Sequence, residues 1–175
     1  IEQLTHLPKI HAASMNALVY LAWLIGAPLH GWLSSYCKDL RWYLLASCVL
    51  TAACFFLLLH GFSSVGMLGC VLFAFGFFAS AEVICLALAR DCLPERFTAT
   101  AIGVLNCFIM LGGLILLPWI GSSLDHYWAG KLDNGVRVYS QVAFNHALFP
   151  VLAMLLISMV VALFINVQST KSNHH

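Results

Sequence analysis

Residues 63–89 read SSVGMLGCVLFAFGFFASAEVICLALA, and Glu82 is the one Asp, Glu, Lys or Arg in that run. A helix of this length rises about 40 Å at roughly 1.5 Å per residue, whereas the hydrocarbon core of a bilayer is about 30 Å thick. The run is apolar on every face, so neither the alternation of a half-buried strand nor the single stripe of a surface helix describes it. It reads as a membrane-spanning helix, long enough to need tilt or a bend near Gly76.

Working outward, four further stretches meet the same length once Gly and Ser are counted as membrane-compatible: 12–33, 42–60, 97–120 and 142–165. Pro150 in the last of them predicts a kink. Composition agrees, because 62% of the 175 residues are hydrophobic and only 9% charged, far from the quarter or so of charged residues that a water-soluble surface requires. Barrel strands are short and alternate polar with apolar, which these runs do not. The fold class is therefore all-α integral membrane, with five transmembrane helices as part of a helical bundle. Residues 1–11 and 121–141 are expected as extracytoplasmic loops; the second holds Asp125, Lys131, Asp133, Asn134, Gly135 and Arg137. Residues 166–175 form a cytoplasmic tail that ends in Ser172, Asn173, His174 and His175, either native or the start of a purification tag.

Cytoplasmic loops keep an excess of Lys and Arg. Lys38, Arg41, Arg90, Arg96 and Lys171 fall on one side, and Lys9, Lys131 and Arg137 on the other. That count puts the first group and the C-terminus in the cytoplasm, with a cell membrane or bacterial inner membrane as host. The N-terminus then follows an extracytoplasmic loop with Leu7, Pro8 and Lys9, so a further helix is expected before Ile1.

A net charge of +1 without a basic block gives no footprint for nucleic acid. The cysteines number seven, an odd count, and Cys48, Cys54, Cys70, Cys85 and Cys107 lie in apolar runs, which reads as reduced thiols rather than a disulfide framework. No spacing of Cys and His suits a metal, and no nucleophile elbow, phosphate loop or dinucleotide-binding glycine run occurs. No cofactor and no enzymatic activity are expected.

Two stretches carry a resemblance. Residues 26–41 read GAPLHGWLSSYCKDLR, and residues 93–103 read LPERFTATAIG, followed by Asn106, Gly112, Gly113, Pro118 and Gly121. The chain resembles the major facilitator superfamily of transporters. There the eighth helix commonly ends in a glycine before a basic loop, matched by Gly31, Lys38 and Arg41, with Ser35 where an Asp is usual. The eleventh helix follows a Pro and an Arg, matched by Pro94 and Arg96, and continues with small residues, an Asn and a glycine pair. The resemblance covers nearly the whole chain and implies helices eight to twelve of twelve, the C-terminal half without its first helix. It further implies a central pathway bordered by the eighth, tenth and eleventh helices, which favours Tyr20, Trp23, Glu82 and Asn106.

The residues themselves allow functional and static readings. Glu82 lies roughly 12 Å in from its helix end, where a charge usually faces the bundle interior or a wet cavity. It either binds and releases a proton as that cavity alternates between wet and dry, or stays protonated and bridges two helices. Asn106 reaches nearly the same depth on the fourth helix, so the two are expected to share one cavity; an interhelical hydrogen bond is its plain alternative. Asn16, Tyr20 and Trp23 recur at i, i+4 and i+7 and form either a cavity wall or a packed aromatic stripe. Gly31, Ala99, Gly103, Gly112 and Gly113 let backbones approach closely and mark helix-packing or sliding faces, with Arg96 beside them at the helix start. His30 reads as a boundary residue, with interfacial pH sensing as the alternative. Trp119, Tyr127 and Trp128 outside, and Trp32, Tyr36, Trp42 and Tyr43 inside, suit the headgroup regions.

Together these readings point to a secondary transporter moving a small organic solute by alternating access, proton-coupled through Glu82, as a symporter. Its partners are the lipid bilayer, the solute with protons, and the N-terminal half of the same transporter. The competing class is a non-transporting membrane subunit or assembly protein that binds a partner through its small-residue faces.

Overall fold

The computed structural model describes residues 9–37, 39–60, 62, 64–91, 93–133 and 136–164. Expectations resting on Leu7, Pro8, Lys38, Asn134, Gly135, Lys171 and the C-terminal histidines lie outside these residues. In chain order the elements are α1 (Lys9–Ser34), α2 (Leu40–His60), α3 (Val65–Ala79), a 3-10 turn (Ser80–Glu82), α4 (Val83–Asp91), α5 (Glu95–His126), β1 (Leu132–Asp133), β2 (Val136–Arg137) and α6 (Gln141–Phe164). With α3, the turn and α4 taken as one interrupted rod, five helices are long and apolar enough to cross a membrane. Helices suit that medium because each satisfies its backbone N–H and C=O groups internally.

Adjacent helices pack as α1 on α3, α3 on α2, α2 on α6, α6 on α5 and α5 on α4. The buried residues are few and mostly small, among them Ala22, Ala52, Ala143, Ala147 and Ala162, with Leu44, Phe55, Leu68, Leu72 and Ile84 as the larger apolar ones. Leu24, Phe108, Leu117 and Phe164 are 72%, 68%, 71% and 81% exposed. An outer wall of that kind is stable only against lipid tails or another apolar partner. Small residues at the seams fit the same setting, since lipid supplies no hydrophobic drive between helices and close backbone approach must hold them together.

Two expectations about shape are corrected. The third span is interrupted not at Gly76 but at Ser80–Glu82, for a reason given below. Helix α6 includes Pro150 within its length, as α1 and α5 include Pro28 and Pro118. The stretch expected to be loop from Gly121 is helical as far as His126 and then forms a two-stranded hairpin, with Leu132 paired to Arg137 and Asp133 to Val136. Gly130, at φ +76°, makes the bend before it.

The hairpin is tied down locally. Arg137 Nη1 donates to Asp125 Oδ1 at 2.6 Å, the Tyr139 hydroxyl donates to the same oxygen at 2.7 Å, and Trp128 Nε1 donates to the Lys131 carbonyl at 3.0 Å. The hydrogen bond to the Asp125 carboxylate holds the Tyr139 hydroxyl above its ordinary pKa. At the same end Gln141 Nε2 donates to the Leu59 carbonyl at 2.9 Å, joining the start of α6 to the end of α2.

Candidate functional site

The site is organised by the break in the third span. In an uninterrupted helix the Phe77 carbonyl serves only the backbone ladder. Here it also accepts Ser80 Oγ–H at 2.6 Å and His30 Nε2–H at 2.9 Å. Side-chain donors competing for a helix carbonyl loosen the ladder around it, and the chain tightens into one 3-10 turn over Ser80–Glu82. Because the carbonyl can only accept, His30 Nε2 carries the proton, and Nδ1 is left to accept the Tyr43 hydroxyl, its other partner. His30 and Ser80 are both buried. The reading of His30 as a boundary residue is therefore replaced: it is the polar centre of the joint between α1, α2 and α3.

Close approach makes this joint possible. A Cβ on Gly76 would lie 2.5 Å from the Val19 carbonyl oxygen, and one on Gly26 would overlap Ser80 Oγ. At about 100° per residue, Gly69, Gly76 and Ser80 share one face of the interrupted rod, and this face receives α1. Phe78, Glu82 and Cys85 lie on the opposite face.

That opposite face borders a cavity of about 440 Å³ between the rod, α2 and α6. Its polar lining is Glu82, Ser47, Cys48, Thr51, Cys85 and Ser158, set among Leu44, Phe78, Leu155 and Val161. Thr51 Oγ1 donates to the Ser47 carbonyl at 2.8 Å, and Ser158 Oγ donates to the Met154 carbonyl at 2.9 Å. Glu82 has no hydrogen-bond or ion-pair partner among the described residues.

The other residues singled out by sequence are distributed differently. Asn106 does not share the Glu82 cavity: it lines a separate groove of about 480 Å³ whose walls, Cys107, Met110, Leu111 and Leu114, all come from α5. Asn16, Tyr20 and Trp23 are exposed on α1, with Tyr20 and Trp23 at 70% and 38%, and none borders the Glu82 cavity. The shared chamber fails because α1 packs on the opposite face of the rod. Among the described residues Gly31, Gly103, Gly112 and Gly113 are not packing glycines, since a Cβ on any of them would meet nothing within 4 Å. The residues in that role are Gly26, Gly69 and Gly76, whose spacing along the seam was the available signal. Arg96 is exposed, with its guanidinium 4.7 Å from the Phe97 ring centre. On α6, Asn145 accepts from Gln141 at 3.3 Å and His146 stacks on Tyr127.

Five apolar helices, an outer wall of Leu, Ile and Phe and one carboxylate facing an interhelical cavity define a multi-pass membrane protein. The chain belongs to the Major Facilitator Superfamily, whose family model matches residues 2–174. It is thus of the major facilitator transporter type, a family of carriers rather than enzymes. No curated protein and no solved structure gives a significant match to the chain.

Proposed function

We propose that this chain is the helix eight to twelve portion of a secondary transporter that moves a small organic solute by alternating access, with Glu82 as its proton-binding residue. The observation that carries the reading is the placement of Glu82, the only Asp, Glu, Lys or Arg within the apolar stretches 12–33, 42–60, 63–89, 97–120 and 142–165, beside a cavity and in the 3-10 turn that interrupts the third span. Carboxylates at membrane depth are retained at a free-energy cost and mark ion or proton relays. A mid-helix 3-10 turn is a place where backbone can flex. Charging and neutralising Glu82 would bias that turn between two arrangements.

In this reading the solute path lies on the other side of the rod. Asn16, Tyr20 and Trp23 of α1 and Asn106 of α5 would face it together with the N-terminal half of the transporter, and Gly31, Gly103, Gly112, Gly113 and Arg96 would meet that half as it rocks. The end bearing Arg41, Arg90 and Arg96 faces the cytoplasm. No Lys or Arg lies within the apolar stretches 12–33, 42–60, 63–89, 97–120 and 142–165, so a zwitterionic or cationic solute suits this half better than an anion.

Uptake by the full-length transporter in proteoliposomes, with a solute panel and an imposed pH gradient, tests the proposal. Glu82→Gln is expected to abolish gradient-driven accumulation while leaving exchange down a solute gradient. Accumulation that survives the substitution unchanged would remove proton coupling through Glu82.

A further inference from the structure

We infer that the cavity between α2, α6 and the interrupted rod binds a small hydrophobic ammonium ion, which reaches Glu82 sideways from the lipid past Ile157 and Val161. The site lies away from the solute path described above and does not rest on the transport reading, because a bundle that carried nothing would bind the same ion.

Charge is the first argument. Among the described residues Glu82 is the only carboxylate on the cavity lining, and no Lys, Arg or His side chain borders it. Hydrogen-bonding polarity points the same way. Thr51 and Ser158 already donate their hydroxyl protons to the Ser47 and Met154 carbonyls, so each has lone pairs left to offer. A lining of carboxylate and hydroxyl acceptors suits a ligand that brings several N–H donors and a positive charge. A bare divalent cation is a poorer fit, since it needs six or so oxygen ligands and several carboxylates, and no cluster of three or more His, Cys, Asp or Glu occurs among the described residues.

Size and access complete the case. About 440 Å³ falls within the range of roughly 300–1,000 Å³ that holds small organic ligands. Leu44, Phe78 and Leu155 supply apolar walls for a hydrocarbon body. On the rim, Ile157 and Val161 are 60% and 55% exposed, so the cavity communicates with the lipid-facing side of α6. The polar groups on the opposite face of the rod, His30, Tyr43 and Ser80, are already matched to one another or to the Phe77 carbonyl. Unused acceptor capacity is thus found on the Glu82 side. The titratable groups facing the cavity are Cys48 from α2 and Glu82 and Cys85 from the rod; α6 contributes none. Protons therefore compete with the ammonium ion for one carboxylate, and binding weakens as the pH is lowered.

The chain in lipid nanodiscs, titrated with phenethylammonium and corrected for partition into protein-free nanodiscs, tests this directly. Saturable binding is expected, weakened by about tenfold or more in Glu82→Gln and for the neutral analogue 2-phenylethanol. Ser158→Phe, which fills the cavity from α6 and leaves the carboxylate in place, is expected to block binding as well. Equal affinity in Glu82→Gln, equal affinity for the alcohol, or undiminished binding in Ser158→Phe would each overturn the proposal. If Glu82→Gln does not yield a monodisperse protein, the alcohol and Ser158→Phe decide alone. Because the readout is binding, a Glu82→Gln variant that keeps coupled uptake but loses ammonium binding would overturn the transport proposal only, and one that loses coupled uptake but binds ammonium undiminished would overturn this one only.

Discussion

The joint between α1 and α3 and the long helix α5 use the same residue type to opposite ends. Both carry glycines, Gly69 and Gly76 seven residues apart on one face in the first and Gly103, Gly112 and Gly113 on more than one face in the second. In the joint a Cβ on Gly76 would strike the Val19 carbonyl; on α5 an added Cβ would meet open space. No residue of α5 is buried, whereas the joint encloses His30 and Ser80. A small residue therefore reports close approach only where a neighbour exists to approach. Among the described residues nothing comes that close to the α5 glycines.

Substitutions can break the contrast or sharpen it. The largest effect is expected for Gly76→Val. The added methyls meet backbone rather than a movable side chain, and overpacking of this kind costs about 3 kcal/mol, well above the fraction of 1 kcal/mol that leaving glycine returns in helix propensity. Thermal unfolding in detergent would show a marked fall in Tm, and an unchanged Tm would mean that α1 and α3 are not in backbone contact. His30→Ala comes next. It leaves a void and takes away the Tyr43 acceptor, with an expected loss of about 2 kcal/mol. Tyr43→Phe, which deletes one hydroxyl, should lose about 1 kcal/mol in the same assay. If the two are equally disruptive, the His30–Tyr43 hydrogen bond carries the whole joint and the packing none of it.

On α5, Gly112→Ala should leave the chain's stability unchanged or raise it by up to about 1 kcal/mol. On the proposed reading, in which this face meets the N-terminal half of the transporter, the same substitution is expected to slow uptake. Normal uptake would show that this face slides against nothing. Smallest of all is Asp125→Asn, which loosens the hairpin by removing the charge that Arg137 and Tyr139 share. Exposed ion pairs add little, so Tm should hold while limited proteolysis of the hairpin accelerates; protection identical to wild type would show that backbone bonds alone hold it.

Much of the architecture was legible because lipid simplifies the reading. Residues 42–60 and 142–165 are apolar on all sides, and α2 (Leu40–His60) and α6 (Gln141–Phe164) occupy the same stretches. Glu82 stood out because it is alone. What the pattern could not tell was direction. Depth along the axis follows from counting residues, and it places Glu82 and Asn106 at similar levels, but facing depends on which neighbour packs where. The break at Ser80 was hidden for a similar reason. It needs His30 and Ser80 to converge on one carbonyl, 47 residues from His30 in sequence, while Gly76, the obvious candidate for a bend, is a contact point instead.

By itself the sequence determined the medium, the number of spans and the presence of one carboxylate among them, because hydropathy and charge are properties of residues in order. The tertiary structure decided that Glu82 looks toward α2 and α6, that His30 is a structural centre, and that the α5 glycines meet no partner among the described residues. Those are facts about rotation around helix axes, and where every face of a helix is apolar, hydrophobic patterning leaves rotation unspecified until the neighbouring helices are in place.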